Sequence, residues 1–466
     1  MSSFAPPEIF KAYDIRGIVG RTLTVEAVEN IGHAIGSEAI ARKQTDVAIG
    51  RDGRESGPEL SAALARGLRA SGINVIDVGM VATPMVYFTT YALNTHSGVM
   101  VTGSHNPPEY NGLKMMLAGD TLAGDAIQAL RTRIERSDLK HGAGSYRTHD
   151  IREAYLSRIV DAVDGVKLQR KIKIAVDCGN GVAGAFAPEL YRRLGCEVQE
   201  LFCEVDSRFP NHHPDPSQPK NLQDLIAALK TGDAEIGLAF DGDGDRLGVV
   251  TKSGKIIYPD RQLMLFAADV LSRNANAEII FDVKSTRNLF KWIRDRGGKP
   301  LMWKTGHSFI KAKLKETGAP LAGEMSGHIF FADKYYGFDD AIYTAMRFLD
   351  IMTRDADYDL ARRYDLMPVF INTPELRFPC ADTRKFAVID EVKLRLADAG
   401  AKVSDIDGVR VTSTGGWWLL RASNTQAVLV ARAEADSEAN LEGLKAELAA
   451  QLRASGLELP AESVGH

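Results

Sequence analysis

A chain of 466 residues is too long for one hydrophobic core and points to three or four domains. Its 45% hydrophobic and 25% charged composition is that of an ordinary soluble protein, and a formal net charge of -4 argues against a general nucleic-acid binder. Four cysteines without a C-x-x-C pair, an amino terminus without a signal-like apolar core and the lack of any membrane-length run are read as a cytoplasmic protein with reduced thiols.

Val47-Ala-Ile-Gly-Arg-Asp52, Lys173-Ile-Ala-Val-Asp177 and Glu278-Ile-Ile-Phe-Asp282 each read as a strand ending in Asp, followed by a polar or Gly-rich turn and a helical pattern. After each helix a glycine introduces a second strand, at Gly72, Gly195 and Gly298, and a third short strand follows. Such alternation predicts three similar α/β domains with mixed, mainly parallel sheets, each offering one polar loop after its third strand. The first loop, Thr102-Gly-Ser-His105, follows the apolar Ser97-Gly-Val-Met-Val101 and continues through Asn106, Pro107 and Pro108 to Lys114. Ser104 therefore falls past the carboxyl end of a strand, where open α/β sheets put their chemistry, in what reads as a turn between strand and helix. A serine that exchanges a phosphoryl group needs exposure, a proton carrier and positive charge, and His105 and Lys114 offer the last two. A serine-hydrolase elbow is the weaker reading, since G-x-S-x-G would need glycine where Asn106 stands.

In the second repeat, Gly179-Asn-Gly181-Val-Ala-Gly184 matches a dinucleotide fingerprint in form, but the other two repeats lack its glycines, so it also suits a turn with close helix packing. Asp241, Asp243 and Asp245 alternate with glycines after Glu235-Ile-Gly-Leu-Ala-Phe240, and three carboxylates so close repel one another unless a cation holds them. Oxygen-only ligands favour Mg2+, while an EF-hand fails because Arg246 and Lys252 stand where Gly and Glu are required. In the third repeat, Glu324 and Ser326 lie two apart in a segment read as extended, so they point the same way and suit the vicinal hydroxyls of a sugar. His307 and His328 are loop histidines of the same region.

The last part differs: Asp407–Val411, Gly415–Leu420 and Gln426–Ala433 read as adjacent antiparallel strands followed by a helix from Ser437 to Leu452, a smaller α+β domain. Arg421-Ala-Ser-Asn-Thr425 ends one of these strands with a guanidinium, two hydroxyls and an amide, a set that suits a dianionic phosphate. The expected domains are 1–150, 151–253, 254–367 and 368–466 around one central cleft.

Together, T-G-S-H-N-P, D-G-D-G-D-R, G-E-M-S-G-H and R-A-S-N-T, with Ala12-Tyr-Asp-Ile-Arg-Gly17 ahead of them, resemble the α-D-phosphohexomutase superfamily in order and spacing across nearly the whole chain. The resemblance implies a mutase that interconverts hexose 1-phosphate and hexose 6-phosphate, of mannose and glucose, through an active-site phosphoserine and a 1,6-bisphosphate. It assigns the phosphoserine to Ser104, and Mg2+ to that residue with Asp241, Asp243 and Asp245. Arg16, His105, Lys114 and Arg246 match residues handling charge and protons, and Tyr13, Lys284, His307 and His328 match the substrate side. Glu324 with Ser326 matches the sugar-hydroxyl pair, and Arg421, Ser423, Asn424 and Thr425 the distal phosphate site. Glucose 1,6-bisphosphate is the implied activator, and small sugar phosphates are the implied partners. No nucleic acid or membrane is implied, and the oligomeric state stays open, a monomer included. An amino-sugar phosphate mutase, a silent sugar-phosphate binder and a nicotinamide enzyme are the competing readings.

Overall fold

Strands Asp46–Arg51, Lys173–Asp177 and Glu278–Asp282 are the first members of three equivalent sets in a computed structural model, which describes residues 5–161, 165–355, 357–424 and 426–459. Each pairs in parallel on one side with the second strand of its repeat, Asn74–Met80, Glu197–Leu201 or Lys299–Trp303. On the other side each pairs in parallel with the third strand, Gly98–Val101, Ile236–Phe240 or Leu321–Gly323. A fourth strand, Tyr110–Leu117, Leu247–Thr251 or Ile329–Phe331, then runs antiparallel to the third. The three sheets share this core order, and parallel and antiparallel pairings are closer to balance than the sequence led us to expect.

The reason lies in the connections. Third and fourth strands are joined only by residues 102–109, 241–246 and 324–328. A parallel crossover needs a dozen or more residues, so these loops can only close hairpins. The predicted turn between strand and helix around Ser104 is thus a strand-to-strand loop. In the first domain Ile15–Ile18 adds to the far side of Tyr110–Leu117, pairing Arg16 with Gly112, and brings the amino-terminal arm against the serine loop.

Helix Thr83–Ala92 of the first domain shares a buried apolar core with the second and third, through contacts such as Phe88 on Tyr155 and Tyr87 on Phe338. The fourth domain has its own core, built on Val409–Thr412, Gly416–Ala422 and Val428–Ala435, antiparallel neighbours as expected. Glu438–Ala454 forms the expected helix, capped by Ser437, while helix Asp382–Asp398 and edge strands Ile371–Asn372 and Leu376–Pro379 were not read from sequence. Trp417 and Leu419 pack on Val283 of the third domain. Buried Arg410 and Arg432 donate across the same junction to the carbonyls of Val283 at 2.6 Å and Lys284 at 2.7 Å. Among the described residues no helix is long and apolar enough to cross a membrane.

Candidate active site

Ser104 has φ of +49°, the left-handed region that a serine adopts only when its surroundings impose it. Arg54 supplies the constraint: its guanidinium donates to the carbonyls of Ser104 (2.8 Å), Asn106 (2.6 Å), Pro107 (2.6 Å) and Tyr110 (2.9 Å). Asp52, at the end of the first strand, sits 3.3 Å from that guanidinium and accepts from Thr102 Oγ1 at 2.7 Å and from the Gly103 amide at 3.2 Å. Ser104 Oγ then lies 3.1 Å from Asp241 Oδ2 and 3.2 Å from His105 Nδ1, in a residue only 1% exposed. The two hairpin loops meet so closely that a Cβ on Gly242 would stand 2.4 Å from the Ser104 carbonyl oxygen.

The three aspartates are fully buried. Asp241 Oδ1 accepts the amides of Gly244, Asp245 and Arg246, which leaves Oδ2 facing Ser104. Lys114 Nζ donates to Asp243 Oδ2 at 2.7 Å and Asp245 Oδ2 at 2.5 Å, and Thr83 Oγ1 donates to Asp243 Oδ2 at 2.5 Å. The cation that the sequence required is therefore in part an ammonium. Burial works to raise Asp243 and to lower Lys114, but the pairing wins, holding Asp243 below and Lys114 above its ordinary range. Asp241 goes the other way: burial and then repulsion from Asp243 and Asp245 push it well up. Asp243 Oδ1 and Asp245 Oδ1 remain buried without a hydrogen-bond partner, and one oxygen from each of the three carboxylates lies within 4.8 Å of the others. That donor set fits a divalent cation. Orphaned carboxylate oxygens at zero exposure are costly until a cation or donor meets them.

Above the cage, Arg246 Nε donates to His328 Nε2 at 3.1 Å, which leaves Nδ1 to carry a proton 3.1 Å from Asp339 Oδ2. Asp339 also receives Lys311 at 2.9 Å and faces His307 at 3.8 Å. His307 stacks on His328, and Tyr13 meets it edge-on. Burial, then Lys311, holds His307 well below its ordinary range, and burial, then Arg246, Arg16 and Lys114, does the same to His105. Glu324 and Ser326 do line one cleft, but not through an extended segment: they occupy the tight turn closed by Gly327 N to Glu324 O. The hairpin loop is too short to stay extended and reverse direction. Glu324 Oε1 accepts the Gly306 amide at 2.5 Å, Oε2 is buried without a partner, and burial raises the carboxyl to about 7.

From the fourth domain, Arg421 enters the same cleft with its Nε on Asp407 at 3.0 Å and its buried Nη2 unpaired. Ser423 lines the cleft, Asn424 follows it half-exposed, and Thr425 lies outside the described residues. Lys284 Nζ, from the third domain, reaches Glu375 of the fourth at 2.9 Å. The structure thus gathers Tyr13, Arg16, Ser104, His105, Lys114, Arg246, Lys284, His307, Glu324, Ser326, His328, Arg421 and Ser423 around one space. Sequence reasoning missed Asp52, Arg54 and Asp339. For Asp52 the signal was present, as the Asp closing the first strand of a repeat. Its counterpart Asp282 likewise holds a loop, accepting from Thr305 Oγ1 at 3.0 Å and the Met325 amide at 3.2 Å. The glycine fingerprint at 179–184 is packing: a Cβ on Gly181, the position at which a pyrophosphate would approach, would stand 2.9 Å from Gly242 Cα and 3.0 Å from the Asp241 carbonyl oxygen, so the 241–246 loop occupies that place.

Cations from all four domains facing one cleft, with a serine at its floor, make this a phosphoryl-transfer enzyme rather than a hydrolase or a dinucleotide-binding protein. The chain belongs to the phosphoglucomutase/phosphomannomutase family, and it is a phosphotransferase of the mutase kind. Family models for the alpha/beta/alpha domains I, II and III match residues 7–141, 153–254 and 258–370, and that for the C-terminal domain matches 375–451. A phosphomannomutase/phosphoglucomutase of Pseudomonas aeruginosa is 54% identical over 98% of this chain and 97% of its own. A phosphoglucomutase of Neisseria gonorrhoeae is 56% identical over 94% of this chain and 95% of its own. Among solved structures, a phosphoglucomutase/phosphomannomutase family protein from Burkholderia thailandensis superposes with a TM-score of 0.90 at 51% identity, covering 100% of both chains.

Proposed function

We propose that the enzyme interconverts the 1-phosphates and 6-phosphates of glucose and mannose, using Ser104 as phosphoryl carrier and a hexose 1,6-bisphosphate as intermediate. The observation that carries this is that one cleft holds both a carrier and a grip: Ser104 Oγ beside Asp241, and the buried Arg421 Nη2 without a hydrogen-bond partner. The two phosphorylated oxygens of a hexose are too far apart for direct transfer. A carrier on the protein solves this, because the sugar needs only to present each end in turn. Phosphoserine gives its phosphoryl group to the free hydroxyl while Arg421, Ser423 and Asn424 grip the phosphate already present, and the hydroxyl's proton leaves toward the side chains at the serine end. After the bisphosphate has turned over, its other phosphate returns to Ser104.

Glu324 and Ser326 accept and orient sugar hydroxyls between the two ends, with Tyr13, Lys284, His307 and His328 around them. Arg16, His105, Lys114 and Arg246 surround the transferring oxygens. Asp241, Asp243 and Asp245, with the phosphoserine oxygens, are the residues that would hold Mg2+, which when bound supplies charge neutralisation at the transferring group. The near-complete burial of Ser104 keeps water from the phosphoryl group. Small sugar phosphates are the partners of this reading, glucose 1,6-bisphosphate its activator, and the four buried thiols support a cytoplasmic setting. We further infer that the functional units follow 1–150, 151–253, 254–367 and 368–466. The test is intact-mass analysis before and after glucose 1,6-bisphosphate, on wild type and Ser104→Ala. Wild type should gain one phosphate mapped to Ser104, and the variant none, with mutase turnover lower by several orders of magnitude. Turnover near wild type in the alanine protein would end this reading.

A further inference from the structure

A segment of the second domain, residues 202–216, crosses to the first domain and packs against the turn that holds the serine loop. A Cβ on Gly53 would stand 2.3 Å from Val205 Cγ1, and the ring of Phe209 has its centroid 5.4 Å from Arg54 Cζ. The Arg54 guanidinium directs its Nη1 and Nη2 donors, which lie in its own plane, to the carbonyls of Ser104, Asn106, Pro107 and Tyr110. The faces of such a fork donate no hydrogen bonds, so its tilt depends on what packs against it. One contact is Gly103, where a Cβ would stand 2.4 Å from Cζ, and another is the Phe209 ring. A ring quadrupole attracts the cation, the more so out of water, and Arg54 is buried.

Phe209 is held there against its backbone preference. Its φ is +49°, in the left-handed region that a bulky residue avoids, and Pro210 follows it, which disfavours that conformation further. Such a backbone persists only where its surroundings over-determine it. Here they centre on Asn180, buried and itself at φ +61°. Its amide donates to the Phe202 carbonyl at 2.8 Å, and its own carbonyl accepts the Asp206 amide at 3.0 Å. Its side chain donates to the Glu204 carbonyl at 2.8 Å and accepts from Asn211 Nδ2 at 2.8 Å. Every polar group of Asn180 thus goes to the segment that carries Phe209, before it and after it. Asn180 is the middle residue of Gly179-Asn-Gly181, and the packing that accounts for Gly181 does not account for it.

We propose that Phe209 is a positioning residue for phosphoryl transfer at Ser104: its ring sets the tilt of the Arg54 guanidinium, the guanidinium sets the carbonyls of the serine loop, and Asn180 holds the ring in place. The inference rests on Ser104 as the phosphoryl carrier proposed above. Neither Phe209 nor Asn180 lines the cleft or the wider cavity beside it, so the effect falls on the rate of transfer and not on substrate affinity.

The rate to read is single-turnover phosphorylation of the dephospho-protein by glucose 1,6-bisphosphate, followed by intact mass, with steady-state kcat and KM beside it. Phe209→Leu keeps apolar bulk and removes the ring, and it should lower that rate and kcat by about tenfold with KM within about twofold of wild type. Phe209→Tyr keeps the ring and should stay within about twofold of wild type in both rates. Asn180→Asp keeps a side chain that tolerates the left-handed backbone but loses the donor to the Glu204 carbonyl, and it should lower kcat with KM again within about twofold. In an Arg54→Met background, Phe209→Leu should cost no more than about twofold further, because the group it acts on is gone. Phe209→Leu within about twofold of wild type, Phe209→Tyr as slow as Phe209→Leu, or a further loss of about tenfold in the Arg54→Met background overturns the inference. Should Arg54→Met fail to fold, the contrast between Phe209→Leu and Phe209→Tyr decides alone. A wild-type protein that gains no phosphate at Ser104 instead removes the carrier, and the inference falls with it.

Discussion

Replacing Glu324 by Gln should weaken catalysis and strengthen the fold over the same pH range. The carboxyl is 2% exposed, has one oxygen on the Gly306 amide and the other unpartnered, and burial raises it to about 7 from an ordinary 4.5. A carboxyl raised in the folded state binds more protons there than in the unfolded chain, so its ionisation draws down stability as pH rises from 4.5 through 7. At about 1.4 kcal/mol per unit, the shift is worth on the order of 3 kcal/mol. The stability difference between Glu324→Gln and wild type should therefore move toward the variant by that amount from pH 4.5 to pH 8, several degrees in Tm. Any constant cost of the new amide cancels in this difference. In the proposed function catalysis depends on the opposite form, because the ionised carboxylate is the better acceptor for sugar hydroxyls. Hydrogen bonds to charged groups contribute about 1.5–3 kcal/mol, so kcat/KM of wild type should exceed that of the variant by roughly 10- to 150-fold at pH 8. The ratio should shrink toward pH 5.5, with titration of the substrate phosphate common to both proteins. Thermal melts and initial rates across that range check both halves, and a flat rate ratio, or a stability difference moving toward wild type with rising pH, refutes the reasoning.

Asp243→Asn removes the charge on the orphaned Oδ1 while keeping its shape, so Mg2+ affinity and turnover should fall together, and superimposable metal titrations of mutant and wild type would contradict the cage. Arg421→Ala should raise the Michaelis constants of both sugar phosphates by about tenfold or more without lowering Tm comparably, and should increase escape of the bisphosphate. Arg54→Met leaves up to four loop carbonyls without their donor, so it should lower kcat by more than tenfold with little change in KM, measured by steady-state kinetics.

The three-fold repeat and the antiparallel closing domain were legible because strand composition, terminal Asp residues and helix spacing are local signals. What resisted was the partnership between distant residues. That Lys114 bridges Asp243 and Asp245 depends on two hairpin loops from different domains meeting tip to tip, and nothing around Lys114 announces it. Arg54 reads as one more charge in a polar turn until the carbonyls of Ser104, Asn106, Pro107 and Tyr110 are seen around it. Glu324 and Ser326 both line the cleft, but a turn and not strand alternation puts them there. Asp339 follows Gly337 and Phe338 in a loop with no motif of its own, and its role rests on His307, Lys311 and His328 converging from a helix and a hairpin.

Asp407 of the fourth domain accepts both Arg421 Nε at 3.0 Å and the backbone amide of Thr305 in the third at 3.1 Å. Thr305 in turn donates to Asp282, which holds the Met325 amide of the 324–328 loop. One carboxylate therefore serves as a shared terminal, joining the guanidinium of the fourth domain to the backbone of the third. With Arg421 as the phosphate grip proposed above, phosphate affinity and domain seating are two readings of one equilibrium. Any ligand that tightens the grip must tighten the seat by the same free energy, and any change that loosens the seat must appear as weaker binding at a site it never touches.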